Sequence, residues 1–333
     1  MKGKHHIIIE SARLKYEFDI KRNITIIQGD SATGKTTLID LLSDYQNGKE
    51  NSPVRIESDV PCEVFAGAGD RWRAVLELIT DSIVFIDEEN HFIRQKEFAE
   101  VVQESTNYFV LITRETLPNL PYSIQEIYGI RTSGKYHFPQ KVYHEFYPIY
   151  GDLKASSAEA ENGMKMITED SYSGNQFFRS FFRNPEDCIS AGGNGKIYSM
   201  MRKQNSDRLL SVVADGAAFG PFMARVLELA EQRGKTLLYL PESFEWLVLK
   251  SGVVTDNEIE RMLEHPEDYI DSSKYMSWEQ FFTEKLEDVT KDDTVKRYKK
   301  RSLAPYYVSS SVKTKILQVV PGELRDAIES EEK

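Results

Sequence analysis

The stretch Gly29-Asp30-Ser31-Ala32-Thr33-Gly34-Lys35-Thr36, with Thr37 behind it, carries residue types at a spacing that suits phosphate chemistry. A glycine, four free positions and then Gly-Lys-Thr let the backbone curl so that successive N–H groups point at phosphate oxygens. A helix starting at the end of such a loop adds the partial positive charge of its N-terminus. Lys35 then reaches the β- and γ-phosphates, and Thr36 sets its hydroxyl on Mg²⁺. Every residue from Gly29 to Thr37 is expected to contact a bound nucleoside triphosphate, ATP with Mg²⁺. A second pair, Asp87-Glu88, closes the apolar run Ile83-Val84-Phe85-Ile86. Asp87 is expected to hold Mg²⁺ through water, and Glu88 to orient or deprotonate the attacking water. Lys35 and Glu88 are thus the catalytic candidates of this half. Thr113 and Arg114, ending the run Tyr108–Ile112, stand where a sensor of the γ-phosphate would.

Three more acids follow apolar runs. Glu169 comes after Met164–Thr168, Asp215 after Leu209–Ala214, and Glu242 after Thr236–Pro241, with Glu245 just beyond. In a parallel sheet the carboxyl ends of the strands share one edge, where sites form. Hard cations take oxygen ligands, so Glu169, Asp215 and Glu242 make a candidate Mg²⁺ site, with Glu169 and Asp215 as its catalytic candidates. The alternative is that these strands simply end in solvated acids. The glycine-rich turn Ala191–Lys196 has the wrong spacing for a second phosphate loop.

These residues need strands and helices to hold them. Asn23–Ile27 is a short β-branched run entering the glycine-rich loop, and Thr37–Leu42 is apolar at helical spacing. Ile7–Ile9 and the alternating Leu14–Ile20 read as strands before it. Val54–Ser58 and Cys62–Phe65 read as strands after it, and Arg71–Thr80 and Phe98–Glu104 as helices. Strand and helix patterns alternating in this way argue for a mainly parallel sheet. The aromatic stretch from Thr132 to Tyr150 reads as strands closing that sheet. Gly151–Gly163 is small and polar, a linker. Beyond it come a phenylalanine-rich helix over Asn175–Arg183, a helix over Phe222–Gln232, and helices over Glu258–Glu264 and Trp278–Glu287. Glu323–Lys333 is expected to fray. Lys296-Arg297-Tyr298-Lys299-Lys300-Arg301, with Lys313 and Lys315 after it, reads as a solvated face or, alternatively, as a strip contacting nucleic acid.

A chain of 333 residues exceeds one ordinary domain, so two are expected. With 40% hydrophobic and 29% charged residues it has material for cores and a soluble exterior. No apolar run approaches the roughly 18–20 residues of a membrane span, and the N-terminal Met1–Glu10 does not read as a signal peptide. The cysteines, Cys62 and Cys188, lie far apart without metal-type spacing, which fits a reducing cytoplasm. A net charge of −11 disfavours a protein coated in nucleic acid but leaves room for a local basic groove.

On the residues quoted, 5–115 resemble a P-loop NTPase of the branch with an extra strand between the phosphate loop and the acidic strand, and the antiparallel lead-in is similar to ABC-type ATPases. Thr36 and Asp87 are only 51 positions apart, with no Leu-Ser-Gly-Gly-type stretch between them. The helical insertion of ABC ATPases is therefore absent, and Arg71, Arg73 or Arg114 would have to complete the site. Residues 163–252 resemble a TOPRIM domain, with a glutamate after the first strand (Glu169) and an Asp-x-Asp after a later one, here Asp215-Gly216-Ala217. Ala217 stands where the second aspartate belongs. Either Glu242 supplies the missing ligand or the metal site is weakened or lost. Together these imply an α/β chain with a P-loop ATPase domain (1–150), a linker (151–162), a TOPRIM-like parallel α/β domain (163–252) and a helical C-terminal region (253–333), similar to OLD-type ATPase–TOPRIM proteins. That resemblance implies an ATP-dependent nuclease or DNA-responsive protein of phage defence. The alternative is an ATP-gated sensor or scaffold whose TOPRIM fold has lost catalysis. The expected partners are ATP, nucleic acid through Lys296–Arg301, a partner protein and further copies of the chain.

Overall fold

Residues that alternate along a strand face opposite sides of its sheet, and here both sides are apolar. The structure, a computed structural model, describes residues 1–29, 34–48, 51–137, 141–151, 163–204 and 207–332, with the backbone alone for 133–137. The expected linker falls almost wholly outside these residues. The chain divides into two compact units, one formed by Met1–Asp152 with His265–Ser277, the other by Leu153–Glu264 with Trp278–Lys333. The segment 265–277 is tied into the first unit by backbone and side-chain bonds: Gly3 N donates to the Glu267 carbonyl at 2.8 Å, and Asn23 Nδ2 to the Met276 carbonyl at 2.9 Å.

In the first unit the described strands are β1 (His5–Glu10), β2 (Leu14–Ile20), β3 (Ile24–Ile27), β4 (Arg55–Glu57), β5 (Cys62–Val64), β6 (Ile83–Ile86), β7 (Tyr108–Ile112), β8 (Ile127–His137) and β9 (Lys141–Pro148). They form one sheet in the order β4-β1-β2-β9-β8-β3-β7-β6-β5. Its β8-β3-β7-β6-β5 half is parallel throughout. The other half is largely antiparallel, through β1–β2, β1–β4 and β8–β9. The sheet is mixed, with more parallel pairings than antiparallel ones. Ser11-Ala12-Arg13 between β1 and β2 is too short for the crossover that parallel neighbours need, so that pair is antiparallel. β8 and β9 do not close an edge but sit centrally, joining the two halves.

Ile83 and Phe85 of β6, with Val110 and Ile112 of β7, join one core, and Val84, Ile86, Phe109 and Leu111 join the other. Helix α1 (Lys35–Gly48) covers the first face with Leu38, Leu41 and Leu42, which share one side of a helix at their spacing. The short α2 (Trp72–Leu76) and α3 (Lys96–Glu104) cover the second, α3 with Phe98, Val101 and Val102.

The second unit holds an all-parallel sheet, β11-β10-β12-β13, with β10 (Met164–Thr168), β11 (Cys188–Ser190), β12 (Leu209–Val213) and β13 (Thr236–Tyr239). Its helices are α4 (Ser173–Arg179), α5 (Asn194–Arg202), α6 (Gly220–Arg233), α7 (Phe244–Lys250), α8 (Ile259–Glu264), α9 (Trp278–Thr290), α10 (Ser310–Leu317) and α11 (Gly322–Glu332). Phe177, Phe178, Phe181 and Phe182 are all buried. The C-terminal stretch does not fray. In α11, Leu324, Ala327 and Ile328 are buried, Glu331 Oε1 accepts the Met164 N–H at 2.5 Å, and Glu332 pairs with Lys313 at 2.9 Å. Among the described residues no helix is long and apolar enough to cross a membrane.

Candidate functional site

In the first unit, β3 ends at Ile27, just before Gln28-Gly29, and α1 begins at Lys35. Asp30, Ser31, Ala32 and Thr33 lie outside the described residues. Gly34 has φ +98°, and a Cβ there would come within 2.8 Å of the Tyr16 hydroxyl. Only glycine meets both constraints. The Tyr16 hydroxyl donates to the Gly34 carbonyl at 2.9 Å, and the His144 ring stacks on Tyr16 at 4.5 Å. Lys35 is buried, with Nζ donating to the Gly29 carbonyl at 2.5 Å.

Strand β7 lies between β3 and β6, so the ends of all three point to one cleft of about 430 Å³. Lys35, Thr36, Thr37, Asp87, Glu88 and Arg114 all line it. Asp87 accepts the Glu88 N–H at 2.7 Å. Burial pushes its carboxyl above the usual aspartate range, and the nearby Glu88, Glu89 and Asp40 add to that push. Arg114 Nε faces Glu88 Oε1 at 3.3 Å. An ammonium at one end of a cleft and an acid short of positive charge at the other suit a phosphate chain carrying Mg²⁺. Thr36 and Asp87, which line the same cleft, could offer oxygen donors to such an ion, and hard cations take oxygen ligands, so this donor set fits the group. Thr113 is turned away, its Oγ1 accepting from Glu115 N at 3.0 Å. Arg73 pairs with Glu77 at 2.8 Å on the surface, and neither it nor Arg71 lines the cleft. Tyr16 and His144 were not foreseen, because nothing local distinguishes an aromatic that packs on a loop from one that packs in a core.

In the second unit the register aligns Thr168, Val213 and Tyr239, so the following residues emerge at one edge. Asp215 N donates to Glu169 Oε2 at 3.1 Å, which brings those two acids together. Glu242 does not join them. Gly216 N bonds the Pro241 carbonyl at 2.6 Å and Ala217 N the Glu242 carbonyl at 3.3 Å, carrying the chain past the site before α7 starts. A Cβ on Gly216 would lie 2.4 Å from the Leu240 carbonyl oxygen, so that close passage requires glycine. Ser243 then caps α7 by accepting the Trp246 N–H at 3.1 Å, and Glu245 in the first turn enters the cavity instead. A serine followed by an acid in the next two positions is a helix-start pattern, and it is the signal that could have singled out Glu245.

The cavity is small, about 30 Å³, room for roughly one water molecule. Glu245 is 1% exposed; its Oε1 accepts from the Tyr298 hydroxyl at 2.6 Å, and its Oε2 has no hydrogen-bond partner. Lys300 lines the same cavity and pairs with Glu279 of α9. Burial and then repulsion from Glu279 push Glu169 up to about 7. Asp215 lies well above its usual range, from burial first and then Glu279, Glu169 and Glu245. Burial works against the charge on Lys300, but Glu245, Glu279 and Asp215 outweigh it and hold the lysine protonated. Among the described residues no group of three or more His, Cys, Asp or Glu side chains is arranged to hold a metal ion. Ala217 brings no oxygen, Glu242 is elsewhere, and an ammonium stands among the carboxylates. This edge does not fit the Mg²⁺ expected from Glu169, Asp215 and Glu242.

The strip Lys296–Arg301 is not one exposed face. Tyr298 is 2% exposed and cannot stack on a base, Lys300 is turned to Glu279, and Lys313 is buried against Phe181 and the Ser180 carbonyl. The charge pattern looked solvated because it is local, whereas the carboxylates that bind it come from α7 and α9. No protein-family model matches the chain, and no curated protein sequence matches it.

Proposed function

We propose that the first unit is a P-loop NTPase that binds ATP with Mg²⁺ and hydrolyses it. One observation carries this reading: Lys35 and Thr36 of the Gly29–Thr37 stretch share a cleft with Asp87 and Glu88, with β7 between the strands that deliver them. An extra strand in that place is what the resemblance to the P-loop branch calls for. Lys35 and the N-terminal turn of α1 bind the phosphates, and Asp87 holds the ion through water. Glu88 orients the attacking water and takes its proton, and Arg114 holds the Glu88 carboxylate at the cleft mouth. The test is a pair of variants followed by calorimetry and ADP release. Lys35→Ala is expected to lose ATP binding, and Glu88→Gln to keep ATP bound without turnover. Unchanged binding in Lys35→Ala would refute the assignment.

For the second unit the reading favoured is a TOPRIM-like module that has lost nuclease chemistry and serves as a partner-binding readout of ATP turnover. The observation favouring it over the nuclease is the make-up of the edge: Ala217, Glu242 outside the cavity, and Lys300 within it. Incubation with ATP, Mg²⁺ or Mn²⁺ and single- or double-stranded DNA or RNA is expected to give ADP and no cut strands. Cutting that disappears in Asp215→Asn would restore the nuclease.

A further inference from the structure

We propose that Lys300 is the resident cation of this carboxylate edge, a side-chain ammonium in the electrostatic place of a divalent ion. The inference rests on reading the edge as one without metal chemistry and says what replaced the metal.

The lysine is held there by several independent contacts. Two residues before it, the buried Tyr298 hydroxyl bridges Glu245 Oε1 at 2.6 Å and Ser173 Oγ at 2.5 Å. The Lys300 carbonyl accepts the Ser173 N–H at 2.9 Å, at the start of α4. Gln176, one turn further on, donates to the Arg301 carbonyl at 3.2 Å and accepts the Leu303 N–H at 2.9 Å. The backbone on both sides of Lys300 is therefore fixed to the helix that follows Glu169. A lysine paired by chance on a surface would have no such anchorage, because an exposed pair does not repay the ordering of its chain.

The electrostatics require a cation at this point. Glu169, Asp170, Asp215 and Glu245 line a space the size of a water molecule, and Glu279, paired with Lys300, adds its charge to theirs. Carboxylates taken out of water cannot all stay charged without compensation. One ammonium supplies a single positive charge and donors to only some of these oxygens. That accounts for the orphaned Glu245 Oε2 and for carboxyls that remain above their usual range. Removing the ammonium should leave an oxygen-lined void with an excess of negative charge, which is the donor chemistry of a hard divalent cation.

The test is Mn²⁺ titration of the full chain without nucleotide, by calorimetry and by electron paramagnetic resonance of free Mn²⁺. It compares wild type, Lys300→Met, and Lys300→Met combined with Asp215→Asn. Lys300→Met is expected to bind Mn²⁺ at least about tenfold more tightly than wild type, and to lose that gain when Asp215→Asn is added. In chelator Lys300→Met should melt below wild type, and Mn²⁺ should raise its melting temperature while leaving wild type unmoved. Lys300→Met with Glu279→Gln, which removes one charge of each sign, should fold more readily and show the same uptake. Mn²⁺ uptake by wild type that depends on Asp215 would overturn the proposal, as would variants lacking Lys300 that gain no Mn²⁺ affinity or that Mn²⁺ fails to stabilise. Asp215-dependent strand cutting by wild type would instead overturn the reading of the edge itself. Absence of both cutting and Mn²⁺ gain would remove only the role of Lys300.

Discussion

Replacing Tyr298 with phenylalanine removes one oxygen from the interior of the second unit and leaves the ring in place. That oxygen donates to Glu245 Oε1 at 2.6 Å and lies 2.5 Å from Ser173 Oγ. A short O–H bond to an ionised carboxylate contributes about 1.5–3 kcal/mol, and the loss of the Ser173 partner adds about 1 kcal/mol. Glu245 would also be left with both oxygens lacking a hydrogen bond, since Oε2 has none to begin with. The expected loss is therefore about 2.5–4 kcal/mol, or about 5–16 °C in the melting of a unit this size. Tyr307→Phe provides the comparison. Its ring is equally buried, but its hydroxyl makes a 2.6 Å bond to a neutral acceptor, the Lys296 carbonyl, expected to contribute about 1 kcal/mol. Differential scanning calorimetry would follow the transition of the second unit for both variants at neutral and acid pH. Burial raises the Glu245 carboxyl above the usual glutamate range, so the Tyr298→Phe penalty should shrink as the pH falls and should begin to do so above the pH at which an ordinary glutamate protonates, because a protonated Glu245 no longer gains from a charge-assisted donor. Equal shifts for the two variants, or a penalty independent of pH, would refute the assignment of an ionised Glu245 held by Tyr298.

Glu169 offers a test of opposite sign to most carboxylates. Its folded-state pKa is raised from 4.5 to about 7, so its protonated form stabilises the fold fully below the unfolded value, and that contribution is lost as the pH rises through about 7. The amount is on the order of 3 kcal/mol. Glu169→Gln keeps an oxygen for the Asp215 N–H, so in chelator it should flatten the stability of the second unit between pH 5 and 8 and exceed wild type at the upper end; denaturant titrations with unchanged slope against pH would refute this. On the basic strip, Lys299→Glu with Arg301→Glu should move the melting curve by no more than about 0.5 kcal/mol, because both side chains are exposed. Lys300→Glu should cost several times as much, by setting a like charge against Glu279. Similar effects from all three reversals would return Lys300 to the solvated face.

Much of the first unit could be read along the chain. The run into Gly29, the glycine-lysine-threonine spacing and the apolar turn of α1 are local features, and local sterics and hydrogen bonding determine them. The same holds for β6 ending at Asp87 and for the strands that end at Glu169 and Asp215. Strand order was not written there. A continuous apolar run says that a strand is buried on both faces, not which neighbour it takes, so the central place of β8 and β9 came from long-range packing, and β7 between β3 and β6 was implied by the P-loop resemblance alone. The second site shows the boundary most clearly. Glu169, Asp215 and Glu242 look alike as acids after apolar runs, yet the bonds of Gly216 and Ala217 to the chain at 241–242 carry Glu242 past the cavity and let α7 bring Glu245 in. Tyr298 and Lys300 looked like part of a solvated charge run because their partners, Ser173, Glu245 and Glu279, stand far away in the sequence. A charge pattern records which residues are ionic. Whether an ammonium faces water or a buried carboxylate is decided by which helices the fold packs against it, and the cost of leaving those carboxylates uncompensated is what holds Lys300 inside.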